Sequence, residues 1–260
     1  YVPFLKPRFS DINLFGSDNR TPFLPIFNTG IILKFFAIKY LSKLYILHNL
    51  YFKHKYYLKR KSYSDSGEDL YILSNLGKKG FYVDVGCHHP TRLNNCHLLY
   101  LNGWSGINID PSEISIKLFD FARKKDTNIC SAVSLKKGLV DYYYLKPLSL
   151  YNSLIENKDL KNKKLISSDT LSSILDKTKF KNRHIDFLSV DAEGKDFEVI
   201  QSLDFHRYSP KFICIEIWTE TKHKNYELNK SEIYKFLIEK EYSVVFNKKE
   251  NYIFKRKNIM

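Results

Sequence analysis

The chain has 260 residues, of which 43% are hydrophobic and 27% are charged. This balance excludes a disordered tail, a collagen-like fibre and a low-complexity linker, and the length fits one large domain or two small ones. Four cysteines are too few for a disulfide scaffold, which favours a reducing, cytoplasmic compartment. Because the chain begins at Tyr1 and its only methionine is Met260, its start does not tell whether a leader peptide precedes it.

The net charge of +14 is concentrated near the start of the chain. Residues 31–61 contain eight Lys or Arg and no Asp or Glu, whereas residues 62–260 carry 31 basic and 26 acidic side chains. Such a balanced body predicts no basic face, so nucleic-acid binding is not expected. The basic, aromatic-rich segment 31–61 fits peripheral contact with an anionic membrane surface or an acidic partner. A solvated helix explains it equally well.

The first part of the chain is unlike the rest. Residues 1–30 hold four prolines and little periodicity, which predicts an irregular arm. Residues 31–57 have a helical pattern, but lysines interrupt it and leave no run of about 18 uncharged apolar residues, so a membrane-spanning helix is not predicted. We therefore predict an irregular arm and a basic, apolar helical extension over residues 1–61, and a folded domain over residues 62–260.

From residue 64 onward, strand-like and helix-like segments alternate. Strands separated by helices imply crossovers and a mostly parallel sheet covered on both faces, and a terminal hairpin adds an antiparallel strand. The predicted strands are residues 81–85, 106–110, 128–133, 139–145 (on an edge of the sheet), 185–190, 212–217, 242–246 and 252–255. The predicted helices are residues 94–101, 111–124, 170–177, 196–203 and 231–240.

In such a sheet, ligands bind beyond the carboxyl ends of the strands. Asp84 and Gly86 end the first strand in a tight turn that lets a ligand approach the backbone, and Ala132 ends the third. Asp110 ends the second, where an acid accepts hydrogen bonds from ribose hydroxyls. Since the Gly-x-Gly-x-x-Gly pyrophosphate loop is absent, a dinucleotide is disfavoured and a nucleoside ligand is allowed. A turn and a helix cap explain the same acids without a ligand.

Longer motifs strengthen this interpretation. In chain order they are Gly80-Phe-Tyr-Val-Asp-Val-Gly86, Gly103-Trp-x-Gly-Ile-Asn-Ile-Asp110-Pro111 and Ile185-Asp-Phe-Leu-Ser-Val-Asp191-x-Glu193-Gly194. Over about residues 64–255, the chain resembles the FkbM family of S-adenosylmethionine-dependent methyltransferases. The resemblance implies an α/β, Rossmann-like class I methyltransferase fold, with a mostly parallel seven-stranded sheet and an antiparallel last strand. It also implies S-adenosyl-L-methionine as the cofactor and O-methylation of a sugar, polysaccharide or glycolipid.

The resemblance also implies roles for single residues. Glu68 is expected to reach the amino group of the cofactor, in addition to Asp84, Gly86, Asp110 and Ala132 at the strand ends.

A sugar hydroxyl needs a general base, and the candidates are His88, His89, Asp191 and Glu193. The two histidines are favoured because neutral imidazole is available at pH 7. Asp191 and Glu193 would then position the hydroxyl or bind Mg²⁺. Imidazoles that cap the loop, and carboxylates that cap the next helix, are the simpler alternatives.

The chain departs from the family pattern at Asp65, Cys87, Cys96 and Ala192, but it keeps the carboxylates and Gly86. An alternative function is therefore a catalytically impaired S-adenosylmethionine-binding protein of the same fold. A nucleotide-sugar enzyme is disfavoured by the missing pyrophosphate loop.

Overall fold

The structure, a computed structural model, describes residues 40–217 and 228–257. The predicted arm over residues 1–30 and the first part of the predicted helix 31–57 lie outside these residues. The described part of that segment is helical over residues 40–47, over His48–Lys53 as a π-helix, and over Lys55–Tyr57 as a single turn. No helix in the described parts of the chain has both the length and the apolar character needed to cross a membrane.

The chain divides into two units between Lys43 and Leu44. Residues 44–61 therefore belong to the same unit as the sheet described below. The predicted domain boundary after residue 61 stays a prediction.

The described parts of the chain contain ten strands in two sheets. In chain order the strands are β1 (Phe81–Val85), β2 (Ser105–Asp110), β3 (Thr127–Cys130), β4 (Ala132–Val133), β5 (Gly138–Tyr144), β6 (Asn162–Asp169), β7 (Phe187–Val190), β8 (Phe212–Glu216), β9 (Tyr242–Lys248) and β10 (Asn251–Arg256).

The larger sheet has seven strands in the order β3-β2-β1-β7-β8-β10-β9. Strands β3, β2, β1, β7 and β8 are parallel, and β10 is antiparallel to both of its neighbours. This topology confirms the predicted mostly parallel sheet with an antiparallel last strand. The helices are Glu68–Leu76, His97–Leu101, Glu113–Ala122, Leu171–Asp176, Asp196–Gln201, Phe205–Tyr208 and Glu232–Glu239.

Both faces of the larger sheet are covered. In β1, Phe81, Val83 and Val85 pack into one apolar core, whereas Tyr82 packs into a second core with Trp104. Because successive side chains of a strand point to opposite faces, these two cores lie on the two sides of the sheet. A strand that is buried on both faces has apolar residues at successive positions, as β1 does except at Asp84.

The smaller sheet has the order β4-β6-β5, and it corrects two predictions. The predicted strand 128–133 is divided between β3 of the larger sheet and β4 of the smaller one. The prediction that residues 139–145 form an edge of the larger sheet is wrong, because β5 pairs with β6 instead. The sequence does not predict β6, because its lysines and serines give it no apolar pattern of a core strand and its first six residues are exposed or half-buried.

Candidate functional site

The carboxyl ends of three neighbouring strands border one cavity. Strand β1 lies between β2 and β7, and it continues into Gly86, while β2 ends at Asp110 and β7 continues into Asp191. All three of these residues line a cavity of about 250 Å³. The site therefore lies where open α/β sheets bind ligands, outside the strand ends at the reversal of strand order.

Gly86 makes the close approach of strands at this edge feasible. Its φ is +75°, and a Cβ at this position would lie 1.7 Å from the carbonyl oxygen of Asp191. The backbone N–H groups of Gly86 and Cys87 both donate to the carbonyl oxygen of Ile109, at 2.9 and 3.3 Å. Only glycine fits this conformation and this space, as the predicted tight turn requires.

Asp110 is buried and lines the cavity. Its Oδ2 accepts the backbone N–H of His88 at 2.8 Å, and its Oδ1 accepts that of Ser112 at 2.8 Å. Burial raises the pKa of the Asp110 carboxyl to about 6, although these hydrogen bonds act in the opposite direction. The Ser115 side chain also hydrogen-bonds to this carboxyl. Since a carboxylate offers about four lone-pair sites, Asp110 still has acceptor capacity for a ligand hydroxyl.

The two neighbouring histidines have different surroundings. His88 lines the cavity, its Nε2 lies 3.4 Å from the carbonyl oxygen of Leu148, and burial lowers its pKa to about 4. His89 is buried outside the cavity lining, and its Nδ1 accepts the backbone N–H groups of Thr91 and Arg92 at 3.2 and 3.1 Å. His89 therefore holds the loop in place, which is the capping alternative. Burial lowers the pKa of His89 to about 2.

Asp191 and Glu193 both line the cavity. Burial, followed by the carboxylates of Glu216 and Glu193, raises the pKa of Asp191 well above its ordinary value. Burial, followed by the carboxylate of Asp196, raises the pKa of Glu193 to about 7. The cavity thus contains acids that take up or release protons near neutral pH.

Neither Asp191 nor Glu193 caps the helix that follows, so the capping alternative for these two acids is wrong. The helix Asp196–Gln201 has no side-chain cap from Asp191 or Glu193. Instead, the Asp196 carboxylate accepts the backbone N–H groups of Ala192 and Gly194, at 2.9 and 3.1 Å. Asp191 and Glu193 are therefore available to a ligand.

The remaining predicted cofactor residues are placed differently. Ala132 lines the cavity, whereas Glu68 and Asp84 are buried outside its lining. The Oε2 of Glu68 accepts the backbone N–H of Ser66 at 2.8 Å. Its Oε1 is buried and has no hydrogen-bond partner within the described part of the chain. An unpartnered buried carboxylate oxygen is unfavourable without a donor, but Glu68 lies outside the cavity lining, so its predicted contact with the cofactor stays a prediction.

Arg123, which the sequence analysis missed, is buried beneath the loop that follows β1. Its guanidinium donates to the carbonyl oxygen of Pro90 at 2.6 Å and to Oδ1 of Asn94 at 2.7 Å. Asn94 in turn donates to Asp84 at 2.9 Å and to the carbonyl oxygen of Cys87 at 3.2 Å. Asp84 therefore anchors the loop from below. The sequence does not predict that Arg123 is buried, because this arginine is followed by two lysines and resembles an exposed basic residue.

The smaller sheet and the chain that follows β5 supply a further part of the cavity lining. Tyr142 of β5 belongs to it, and so do most residues of the segment 147–154. Ser112 Oγ donates to the carbonyl oxygen of Pro147 at 3.1 Å, and Ser153 Oγ donates to that of Glu193 at 2.9 Å. These bonds hold the segment against the strand ends. The sequence does not predict that this segment lines the cavity, because it does not predict the smaller sheet that the segment follows.

Strained backbone is concentrated at the cavity. Among the described residues, six that are not glycine have a positive φ, and three of them line the cavity: His88 (+48°), Leu93 (+47°) and Glu193 (+48°). Such conformations are uncommon and recur at functional sites, where the surrounding structure holds them.

Residues 40–217 and 228–257 contain no group of three or more His, Cys, Asp or Glu side chains arranged to hold a metal ion. The expectation that Asp191 and Glu193 bind Mg²⁺ is therefore not supported.

Comparisons with known proteins identify a matching family model and similar solved structures. The family model described as "Methyltransferase FkbM domain" matches residues 84–244. The chain is similar to the FkbM methyltransferase structure from Methylobacillus flagellatus KT, with 12% identity and a TM-score of 0.43, over 87% of this chain and 60% of that one. It is also similar to a TehB-like SAM-dependent methyltransferase structure from Corynebacterium glutamicum, with 10% identity and a TM-score of 0.39, over 75% of this chain and 89% of that one.

No curated protein matches the sequence. The chain spans 60% of the length of the FkbM structure. Because the family model covers more than half of its residues, the chain belongs to the family of FkbM methyltransferase domains.

Proposed function

We propose that this protein transfers a methyl group from S-adenosylmethionine to a hydroxyl oxygen of a sugar, a polysaccharide or a glycolipid. Family membership supports methyl transfer. One observation carries the cofactor assignment: Gly86 and Asp110, at the ends of neighbouring strands, line the same cavity as the acids Asp191 and Glu193. A nucleoside fits this arrangement because it needs a ribose acceptor but no pyrophosphate loop.

The residues of the site fit this cofactor. Asp110 would accept a hydrogen bond from a ribose hydroxyl, the glycine turn at Gly86 would allow close backbone approach, and Ala132 would line the same pocket. The contact of Glu68 with the methionyl amino group stays a prediction, because Glu68 lies outside the lining of this pocket. When bound, the cofactor supplies an electrophilic methyl group on a positively charged sulfur.

Glu193 is a better general base than His88 in this site. A base is most effective when its pKa lies near the working pH. The pKa of Glu193 is raised by burial to about 7, whereas burial lowers the pKa of His88 to about 4 and makes it a weak base. We therefore assign to a Glu193 carboxylate oxygen the proton that the acceptor hydroxyl loses.

Asp191 would orient the acceptor. Because burial and neighbouring carboxylates raise its pKa well above the ordinary value, it retains a proton that it can donate in a hydrogen bond to the acceptor. Fixing the reacting oxygen in line contributes up to about 7–11 kcal/mol of barrier reduction in favourable cases.

Asp110→Ala should weaken S-adenosylmethionine binding at least about tenfold, since a hydrogen bond to a charged acceptor contributes about 1.5–3 kcal/mol. Affinity of the unchanged protein should fall as the pH drops below about 6, because burial raises the pKa of Asp110 to that value and the protonated acid is a poorer acceptor. This dependence should be lost in the variant. Isothermal titration at several pH values measures both effects.

The exposed Asp120→Ala is the matched control and should bind normally. No binding to the unchanged protein would refute the cofactor assignment. Binding without methyl transfer to any fraction of a glycan extract from the native cell would instead favour the catalytically impaired alternative.

The acceptor proposal includes peripheral membrane contact through the segment 31–61. In its described part from Leu44 onward, large apolar side chains are exposed beside lysines: Phe52 is 70% and Tyr56 is 78% accessible, and Lys53 and Lys55 are exposed too. Exposed aromatic and basic side chains without acids suit an anionic lipid surface.

Lys53→Glu with Lys55→Glu should weaken binding to phosphatidylserine-containing vesicles by about thirtyfold, because each Lys near such a surface contributes about 1 kcal/mol. Co-sedimentation measures this, and high salt should have a similar effect. The exposed pair Lys78→Glu with Lys79→Glu is the control. Equal binding to uncharged phosphatidylcholine vesicles would count against the contact.

A further inference from the structure

The charge of the cavity is opposite to that of the chain. The chain has a net charge of +14, yet none of the described residues that line the cavity is a Lys or an Arg. The imidazole of His88 is uncharged at neutral pH, since burial lowers its pKa to about 4. Six carboxyl side chains line the cavity: Asp65, Asp110, Asp191, Glu193, Glu216 and Glu250.

These acids differ in depth. Asp65 and Glu250 are exposed at the mouth, where Asp65 pairs with Lys249 at 2.6 Å. The other four lie deeper, at the strand ends. Asp191 is near Glu216, Glu193, Asp196 and Asp84, all of them carboxylates.

The deeper acids also act on one another. Asp196 acts on Glu193 and Asp84 acts on Asp110, in both cases in the direction that disfavours the charged form. Like charges around a site that excludes water keep protons bound, and a bound cation releases them.

We propose that this cavity selects its ligands by positive charge. The inference rests on the proposed function. The site binds S-adenosylmethionine more tightly than S-adenosylhomocysteine, which has the same ammonium and carboxylate groups but no charge on sulfur. It rejects anionic acceptors such as nucleotide sugars and sugar phosphates. The acceptor is then a hydroxyl compound that is uncharged or carries an amine.

The physical reason is the difference in charge between two ligands of almost equal shape. A sulfonium cation stabilises the ionised carboxylates around it, whereas the thioether leaves them protonated. Loss of the methyl group removes this attraction, which favours release of the product. A phosphate in the same space would meet acids and no Lys or Arg among the described lining residues.

Isothermal titration of the full chain near pH 7, in two buffers of different ionisation enthalpy, tests this inference. S-Adenosylmethionine should bind at least about tenfold more tightly than S-adenosylhomocysteine, the ratio that corresponds to a one-unit change in a single pKa. Its binding should also release protons, whereas binding of the thioether should not. Uridine diphosphate glucose should not shift the S-adenosylmethionine isotherm.

Glu193→Gln should reduce the ratio between the affinities for S-adenosylmethionine and S-adenosylhomocysteine, and it should reduce the proton release on S-adenosylmethionine binding. Glu198→Gln is the matched control, because Glu198 lies in the next helix outside the cavity lining, paired with Lys195. The ratio of the two affinities in Glu198→Gln should equal that in the unchanged protein. Thermal unfolding of both variants shows whether they fold.

The outcomes are distinct. Equal affinities without proton release, or competition by uridine diphosphate glucose, would overturn the charge selection and leave the proposed function intact. If neither adenosyl ligand binds, both the charge selection and the proposed function are wrong.

Discussion

Glu193→Gln is expected to lower kcat for methyl transfer by about 10²–10⁴-fold, the contribution of a positioned general base. The glutamine keeps the shape of the side chain but cannot accept the hydroxyl proton. Radioactive methyl incorporation into a glycan extract from the native cell, at saturating S-adenosylmethionine, measures the loss. His88→Asn should have a much smaller effect, since burial lowers the pKa of His88 to about 4 and makes it a poor base.

The pH profile separates the two bases. With Glu193 as the base, kcat should rise with pH to a plateau that begins below about 7, because burial raises the pKa of Glu193 to that value without ligand and the bound sulfonium lowers it. With His88 as the base, kcat would already be constant well below pH 6. A flat profile between pH 5 and 8, together with an active Glu193→Gln variant, would contradict the assignment.

Arg123→Met is expected to lower the free energy of unfolding by about 3–5 kcal/mol, as removal of one partner from a buried charge network does. The methionine fills similar volume but donates no hydrogen bond. The carbonyl oxygen of Pro90 therefore loses this donor, and Oδ1 of Asn94 keeps only the backbone N–H of Cys96. Asp84 also loses the neighbouring cation that lowers its pKa against burial. Urea denaturation measures the change.

The loss should be greater at pH 8 than at pH 5. Burial raises the pKa of Asp84 above its ordinary value, and without Arg123 that pKa should rise further. A carboxyl whose pKa is higher in the folded state than in the unfolded state loses stabilisation as the pH rises through that range. Arg183→Met is the control, because this exposed guanidinium lies over the Phe81 ring at 4.4 Å and contributes about 1 kcal/mol or less. Equal effects of the two substitutions would show that the network under the loop is unimportant.

A larger loss of stability in Arg123→Met than in Arg183→Met would connect stability with function. The Arg123 network holds the loop that carries His88, and the backbone N–H of His88 reaches Asp110. A change in Arg123 should therefore disturb the cavity even though this side chain is not among its lining residues.

The sequence alone determined the central sheet and the position of the site within it. Runs such as Phe81–Val85 and Phe187–Val190 are buried on both faces, so their composition is local evidence for parallel strands. Gly86 and Asp110 could be predicted because a residue that follows a strand in sequence also follows it in space. For these residues, neighbours along the chain decide the structure.

Only the tertiary structure decided which of the predicted residues meet. His88 and His89 are adjacent in sequence, but one lines the cavity and the other fixes the loop, because backbone conformation turns their rings into different surroundings. The high pKa of Glu193 arises from burial, which depends on segments far away in the chain. The smaller sheet and Arg123 escaped the sequence analysis for the same reason: exposed strands and a buried cation depend on distant partners, which short-range patterns do not record.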